Sequence, residues 1–135
     1  MKKLFIAIAI FTTVSCLAQD IPQTVRDAFS KSFPGNTVKK WDKEDGNYEA
    51  NFSKDGKTMS ATFTAAGVLE ETETDIKISE LPSVVSDYIK SNYKGATIEE
   101  AAIIVKGDDT MFEAEVKGKD LLFDKNGRFL KEEED

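Results

Sequence analysis

The chain is rich in carboxylates and poor in every other group that does chemistry. It holds 25 Asp and Glu against 18 Lys and Arg, with no histidine and a single cysteine, Cys16. Oxygen donors are what a hard cation such as calcium requires, and Asp42, Glu44 and Asp45, then Asp108 and Asp109, then Asp124-Lys-Asn126-Gly127 supply them. None of these runs has the twelve-residue loop closed by glutamate that calcium loops use. Asp and Asn beside Gly instead stabilise tight turns through their own side chains. Turn chemistry is therefore the expectation at all three places, with no metal and no cofactor.

Paired carboxylates also run glycoside hydrolysis, but so many acids without any cue to a cleft single out no pair. The missing histidine removes Ser-His-Asp relays, histidine-ligated haem and Cys/His zinc sites. There is no Gly-rich phosphate loop, G-x-S-x-G elbow or dinucleotide fingerprint. The residue inventory points away from an enzyme and toward a binding protein.

Two groups of residues could bind a partner. Trp41 is the only tryptophan, and its parity places it opposite Val38 unless the strand bulges between them. On an open sheet it would anchor an interface; the competing and preferred reading is an aromatic that shields a helix end. Polar residues alternate with apolar ones along several segments, among them Glu49, Asn51, Ser53, Ser60, Thr62, Thr64, Glu113 and Glu115. On a partner-binding sheet these would give specificity around an anchor, although alternation alone predicts polar residues on any solvated face.

The elements that must position these residues begin after an export signal. Lys2 and Lys3 precede the apolar run Leu4 to Phe11, and small residues follow, as in a secretory signal peptide cleaved after Ala18. The run is too short to span a bilayer, and no later stretch approaches the ~20 apolar residues that a spanning helix needs. Cys16 ends the apolar run where a lipoprotein would carry its acylated cysteine, so a lipid anchor is the alternative, against the misfit of Thr13. Removing Lys2 and Lys3 from the 18 cations leaves 16 against 25 carboxylates, a net charge of −9 for residues 19–135. That balance argues against nucleic acid and anionic membrane surfaces as partners.

Residues 19–135 then match themselves at an offset of 60. Pro22, Val25, Asp27, Gly35 and Thr37 meet Pro82, Val85, Asp87, Gly95 and Thr97, and the match returns at Phe63/Phe123 and Gly67/Gly127. Each copy starts with a helical stripe: Ile21, Val25, Ala28, Phe29 and Phe33 in the first, Leu81, Val84, Val85, Tyr88 and Ile89 in the second. Asp20 with Gln23, and Ser79, are the expected caps, and Gly35 and Gly95 the expected stops.

The period then changes to 2 over Tyr48–Phe52, Met59–Phe63 and Phe112–Val116, with Ile103–Val105 a further strand. Asp45-Gly46, Asp55-Gly56, Ala66-Gly67, Gly107-Asp108 and Asn126-Gly127 mark hairpin turns. Glu70 to Lys77 lacks Pro and Gly, and reads as a strand end with a tight connection. The expected architecture is α+β: two tandem helix-plus-four-strand repeats, each helix packed on one face of an antiparallel sheet. The domain boundaries follow as 1–18 signal peptide, 19–76 first repeat and 77–135 second repeat.

These residues resemble a known family. The runs Ile21-Pro22, Phe33-Pro34-Gly35, Val38, Trp41, Tyr48-Glu49-Ala50, Phe63 and Gly67, followed by Leu81-Pro82 through Tyr88-Ile89 and Tyr93, resemble the PepSY-like, β-lactamase-inhibitor-like family. The resemblance covers nearly all of residues 19–135, on spaced hydrophobics and turn glycines that specify a fold better than a function. It implies an exported, non-catalytic protein with tandem units like those of β-lactamase inhibitory protein, whose sheets grip an enzyme. This chain departs from that inhibitor in lacking its disulfides. The expected function is a periplasmic or secreted module that binds another exported protein, as inhibitor or modulator, through the open sheet face. Trp41, Glu49, Asn51, Thr62, Glu113 and Glu115 are its candidate contacts. The alternative is a small-ligand or ion-binding periplasmic protein, using a pocket between helix and sheet or the acidic turns.

Overall fold

The computed structural model of the protein describes residues 20–134; the expected signal peptide and Cys16 lie outside them. Helix α1 (Gln23–Ser32) leads into strands β1 (Val38–Glu44), β2 (Asn47–Lys54), β3 (Lys57–Phe63) and β4 (Leu69–Asp75). A short 3-10 turn (Ile78–Glu80) and helix α2 (Ser83–Asn92) then lead into β5 (Glu100–Lys106), β6 (Asp109–Glu115), β7 (Lys119–Asp124) and β8 (Phe129–Glu134). All eight strands form one antiparallel sheet in chain order. The fold is α+β, and the two helices share a single sheet because β4 pairs with β5 from Glu71↔Lys106 to Asp75↔Ala102. The segment Glu70 to Lys77 is thus mostly strand. No helix among the described residues is long and apolar enough to cross a membrane.

Residues directly opposite in an antiparallel pair point to the same face. Ala50↔Ala61, Ala61↔Thr72 and Thr72↔Val105 carry one face from the first half into the second, and Ala101↔Ala114 and Ala114↔Leu121 carry it onward. Both helices pack on that face. The first core joins Val25 and Phe29 of α1 to Tyr48, Ala50, Phe52, Ala61 and Phe63; the second joins Val85 and Ile89 of α2 to Ala101, Ala114, Leu121 and Phe123. Phe29 is the hub of the first, with ring centroids 5.0 Å from Phe52, 5.4 Å from Phe33 and 6.4 Å from Phe63. Such aromatic pairs add about 0.5–1.5 kcal/mol each beyond the area they bury. The alanines opposite one another on the sheet leave room for these helix side chains.

Proline opens both helices. Pro22 and Pro82 occupy the cap positions without any side-chain cap bond, and their carbonyls accept the N–H groups of Val25 and Val85 at 3.0 Å. The expected capping roles of Asp20 with Gln23, and of Ser79, do not form. Gln23 instead donates to Asp27 at 2.8 Å, and Ser79 lies in the 3-10 turn. Both helices close alike: the N–H of Phe33 donates to Phe29 O and that of Tyr93 to Ile89 O, each at 2.8 Å, before a turn through Gly35 or Gly95. The hairpin β6–β7 turns at Lys117-Gly118, both at positive φ, where no Asp-Gly or Asn-Gly dipeptide stands in the sequence.

Two glycines set how closely the sheet's loops approach the helices. At Gly67 (φ +80°) an added Cβ would lie 2.8 Å from the backbone oxygen of Thr24, and at Gly127 (φ +79°) 2.1 Å from a methyl of Val84. Thr24 also donates its hydroxyl to Ala65 O at 3.1 Å. The β3–β4 loop is therefore clamped on α1, and the β7–β8 loop sits against α2. At the far end of α2, the Tyr93 hydroxyl donates to Glu132, which also accepts from Lys119. That bond to Glu132, with smaller effects of burial and of the carboxylate's charge, pushes the Tyr93 hydroxyl up to about 12.

Gly67→Ala combines left-handed backbone strain with a clash against helix backbone that cannot rotate away. It should lower stability by roughly 2–4 kcal/mol, against roughly 1 for Gly35→Ala, whose added Cβ would meet nothing within 4 Å; urea melts of both variants check the difference. Because Tyr93 is raised in the folded state, its contribution is complete below the unfolded value near 10 and is lost as pH rises through about 12. Melting temperatures taken across pH 9 to 12 should fall more steeply for the natural protein than for Tyr93→Phe.

Candidate functional site

With both helices on one face, the other face of the sheet carries no helix among the described residues. Its side chains follow from the register. One row crosses the strands as Asp42, Glu49, Thr62, Glu71, Lys106 and Asp109, and the next as Lys40, Asn51, Ser60, Glu73, Ile104, Met111 and Asp124. A third runs Asp75, Ala102, Glu113, Leu122 and Lys131, and a fourth Glu100, Glu115, Asp120 and Glu133. Five of the residues singled out from the sequence, Glu49, Asn51, Thr62, Glu113 and Glu115, share this face. They span it from β2 to β6.

Trp41 does not join them. One extra residue at Lys39 makes a bulge, so that Val38 stands opposite Phe52 and Trp41 opposite Ala50, both on the helix side. Simple parity fails because a bulge shifts every later side chain of the strand by one position. The indole packs edge-on to Phe29, with centroids 6.0 Å apart, as part of the first core. Its place is the aromatic shield beside the helix.

Glu113 also departs from a simple solvated face, since only 6% of its surface is exposed. Alternation identifies which face a residue occupies and says nothing of how crowded that face is. Its cross-strand neighbours Ala102 and Leu122, with Ile104 in the next row, are buried yet belong to neither helix-side core. The helix-free face thus has an apolar middle in the second half. Sequence reasoning missed these three, and it missed Glu71, Glu73 and Asp75 of β4. The period-2 pattern Glu-Thr-Glu-Thr-Asp over residues 71–75 was the available signal.

From β1 to β5 the face is electrostatically mixed. Lys40 pairs with Asp42 at 2.7 Å, Asn51 donates to Asp42 at 3.1 Å, and Lys106 stands 3.6 Å from Glu71. Such exposed pairs contribute little to stability, about 0–1 kcal/mol, but they fix side-chain positions. Asp124, one of the sequence's cation candidates, is occupied by its own turn: its carboxylate accepts the N–H groups of Asn126 and Arg128 at 2.9 Å each and the Arg128 side chain at 3.2 Å. The Arg128 N–H is the main cause holding that carboxyl below its usual value. A shallow, open depression of about 410 Å³ lies at the end of β4 and the start of β5, lined by residues that include Asp75, Ile76, Ile78 and Glu100.

Comparison with known proteins agrees with this architecture. A family model described as "Putative beta-lactamase-inhibitor-like, PepSY-like" matches residues 12–70 and again residues 48–131. A BLIP-like protein from Bacteroides fragilis is 30% identical, over 84% of this chain and 86% of that one, with a TM-score of 0.70. A DUF2874 family protein from Bacteroides ovatus is 23% identical over 84% and 86% of the two chains, with a TM-score of 0.74. A protein from Bacteroides eggerthii described as "putative periplasmic" is 18% identical over 84% and 88%, with a TM-score of 0.76. The last two share the fold. No curated protein matches the chain.

The position of Trp41 makes a stability prediction. Trp41→Ala should destabilise the fold by roughly 2–3 kcal/mol, below the range for a fully buried tryptophan because the ring is only half-buried. Denaturant titration measures this, and a melt unchanged from the natural protein would contradict the packing described.

Proposed function

Because the chain belongs to the PepSY-like, β-lactamase-inhibitor-like family, we propose that it is an exported, non-catalytic module that binds another protein through the helix-free face of its sheet. It acts there as an inhibitor or modulator of its partner. The observation that carries this reading is the arrangement of the face: an eight-stranded surface with both helices on its back, presenting half-buried Glu49, Asn51, Thr62 and Glu115 together, with Glu113 buried among them. The BLIP-like description of the relative that is 30% identical supports it.

In this reading residues 1–18 are a signal peptide, and the module acts in the periplasm or outside the cell. Acylation at Cys16 is the alternative tether. Residues 19–76 and 77–135 are two copies of one helix-plus-four-strand unit. Supporting this are the helices and their closing turns, which coincide at an offset of 60, and Gly67 and Gly127, which meet equivalent helices. Small-ligand binding is the weaker reading, since the space between helix and sheet is filled by the two cores.

Immobilised residues 19–135 should retain a protein partner from periplasmic extract. The double variant Glu49→Lys/Thr62→Lys should lose it while keeping the same circular dichroism and melting temperature. Equal retention by both would place binding elsewhere on the molecule, and ligand-dependent melting shifts without a retained protein would favour the small-ligand reading.

A further inference from the structure

Strand β4 lies in the interior of the sheet but has the burial of an edge. None of its seven residues is buried, as in the edge strands β1 and β8, whereas β2, β3, β5, β6 and β7 each bury at least two. On the helix side, one row runs Met59, Thr74, Ile103 and Phe112 across β3 to β6. Met59 packs against the first core and Phe112 against the second; among the described residues, Thr74 and Ile103 belong to neither. In the next row Val105, opposite Thr72, is 38% exposed although it faces the side on which both helices lie. Packing is therefore interrupted over two strands while the main-chain ladder is not. β4 pairs with β5 over five positions, as β3 does with β4 and β6 with β7. The two ends of this seam differ. At one, the N–H of Ile76 donates to Ala101 O at 3.0 Å and the Ile76 side chain packs against the second core. At the other, Leu69 is 39% exposed, and Glu71 and Lys106 stand 3.6 Å apart at the surface, where water and salt screen their attraction.

Adjacent strands adopt relative twists of about 10 to 35° in size without losing their ladder, and side chains packed across the pair narrow that choice. Where such packing is missing, twist becomes the softest coordinate of the sheet. We infer that the β4–β5 seam is a hinge, pinned at Ile76 and Ala101, about which the two helix-bearing halves turn as units and change the curvature of the helix-free face. Each half is held internally by its own core, so bending concentrates between them. A change of about 10°, well inside the natural range of twist, moves a point about 20 Å from the hinge by about 3.5 Å. That displacement fits one surface to partners of different curvature. The hinge follows from packing alone; its use in recognition rests on the protein-binding reading above.

Residues 19–135 contain no cysteine, so pairs of introduced cysteines take spin labels without competition, and pulsed dipolar spectroscopy reads the spread of distances between them. Lys31→Cys/Lys90→Cys joins the exposed last turns of α1 and α2 across the seam, and Lys90→Cys/Lys125→Cys lies within the second half. The cross-seam spread should exceed the within-half spread by about 3 Å, the displacement a bend of that size produces. Adding Thr72→Ile/Thr74→Ile sets apolar side chains against Val105 and Ile103; it should narrow the cross-seam spread toward the within-half one and raise the melting temperature. Equal spreads for the two pairs overturn the hinge, whether or not the Ile variant folds. So does a cross-seam spread that the Ile variant leaves unchanged while its melting temperature rises. The measurement needs no partner and is separable from the capture experiment above. Failure to retain a protein would remove the use assigned to the hinge and leave the hinge, whereas equal spreads would remove the hinge and leave the protein-binding reading.

Discussion

The pairing of β4 with β5 is the interaction on which the rest of the molecule depends. Each half has its own helix and its own core. What the pairing adds is continuity and a common face. Side chains alternate strictly along a strand, so a register slip of one residue at Thr72↔Val105 would turn every later strand over. Helix α2 would then lie on the opposite side from α1, and no broad helix-free surface would exist. The seam achieves this with little apolar help, because Thr72 and Thr74 replace the large hydrophobics of the core strands. Main-chain hydrogen bonds, each worth about 1 kcal/mol net, and register-matched neighbours hold it.

That division of labour explains how a domain with no cysteine after Cys16 can be stable. The apolar load is concentrated at the helix–sheet contacts, where Phe29, Phe52, Phe63 and Phe123 are almost wholly buried. The loops are held against the helices by the absence of side chains at Gly67 and Gly127. The edge strands take the remaining risk. β1 is interrupted by its bulge and carries Lys39, Lys40 and Lys43, and β8 ends in three successive glutamates. Charge and irregularity on an edge discourage further strands from adding to it.

Much of the fold was legible in the sequence, and the misses have identifiable causes. Helix stripes and turn dipeptides located both helices and most hairpins, because burial of one face imposes a period that composition cannot hide. The match at an offset of 60 lapses between Thr37 and Phe63 for a geometric reason. Phe63 pairs with Tyr48, fifteen residues back, whereas Phe123 pairs with Phe112, eleven back, so the second hairpin is four residues shorter. The helix-side place of Trp41, the preferred of its two readings, depends on a one-residue bulge at Lys39 that no local signal announces. Caps were misassigned because Pro22 and Pro82 satisfy the helix start through backbone geometry and carbonyls, leaving Asp20 and Ser79 without that task. Of the candidate site, the facing of Glu49, Asn51, Thr62, Glu113 and Glu115 was readable from alternation. Which of them would be crowded was not, since crowding depends on neighbours brought together by register.

The same reasoning separates what the fold needs from what the surface is for. Replacing a buried residue of the helix side changes a core, so that side is constrained by packing. The helix-free side is constrained by solubility and strand formation in its first half, where polar Asn51 and Ser60 are half-buried, and by packing in its second, where Ala102, Leu122 and Ile104 are buried.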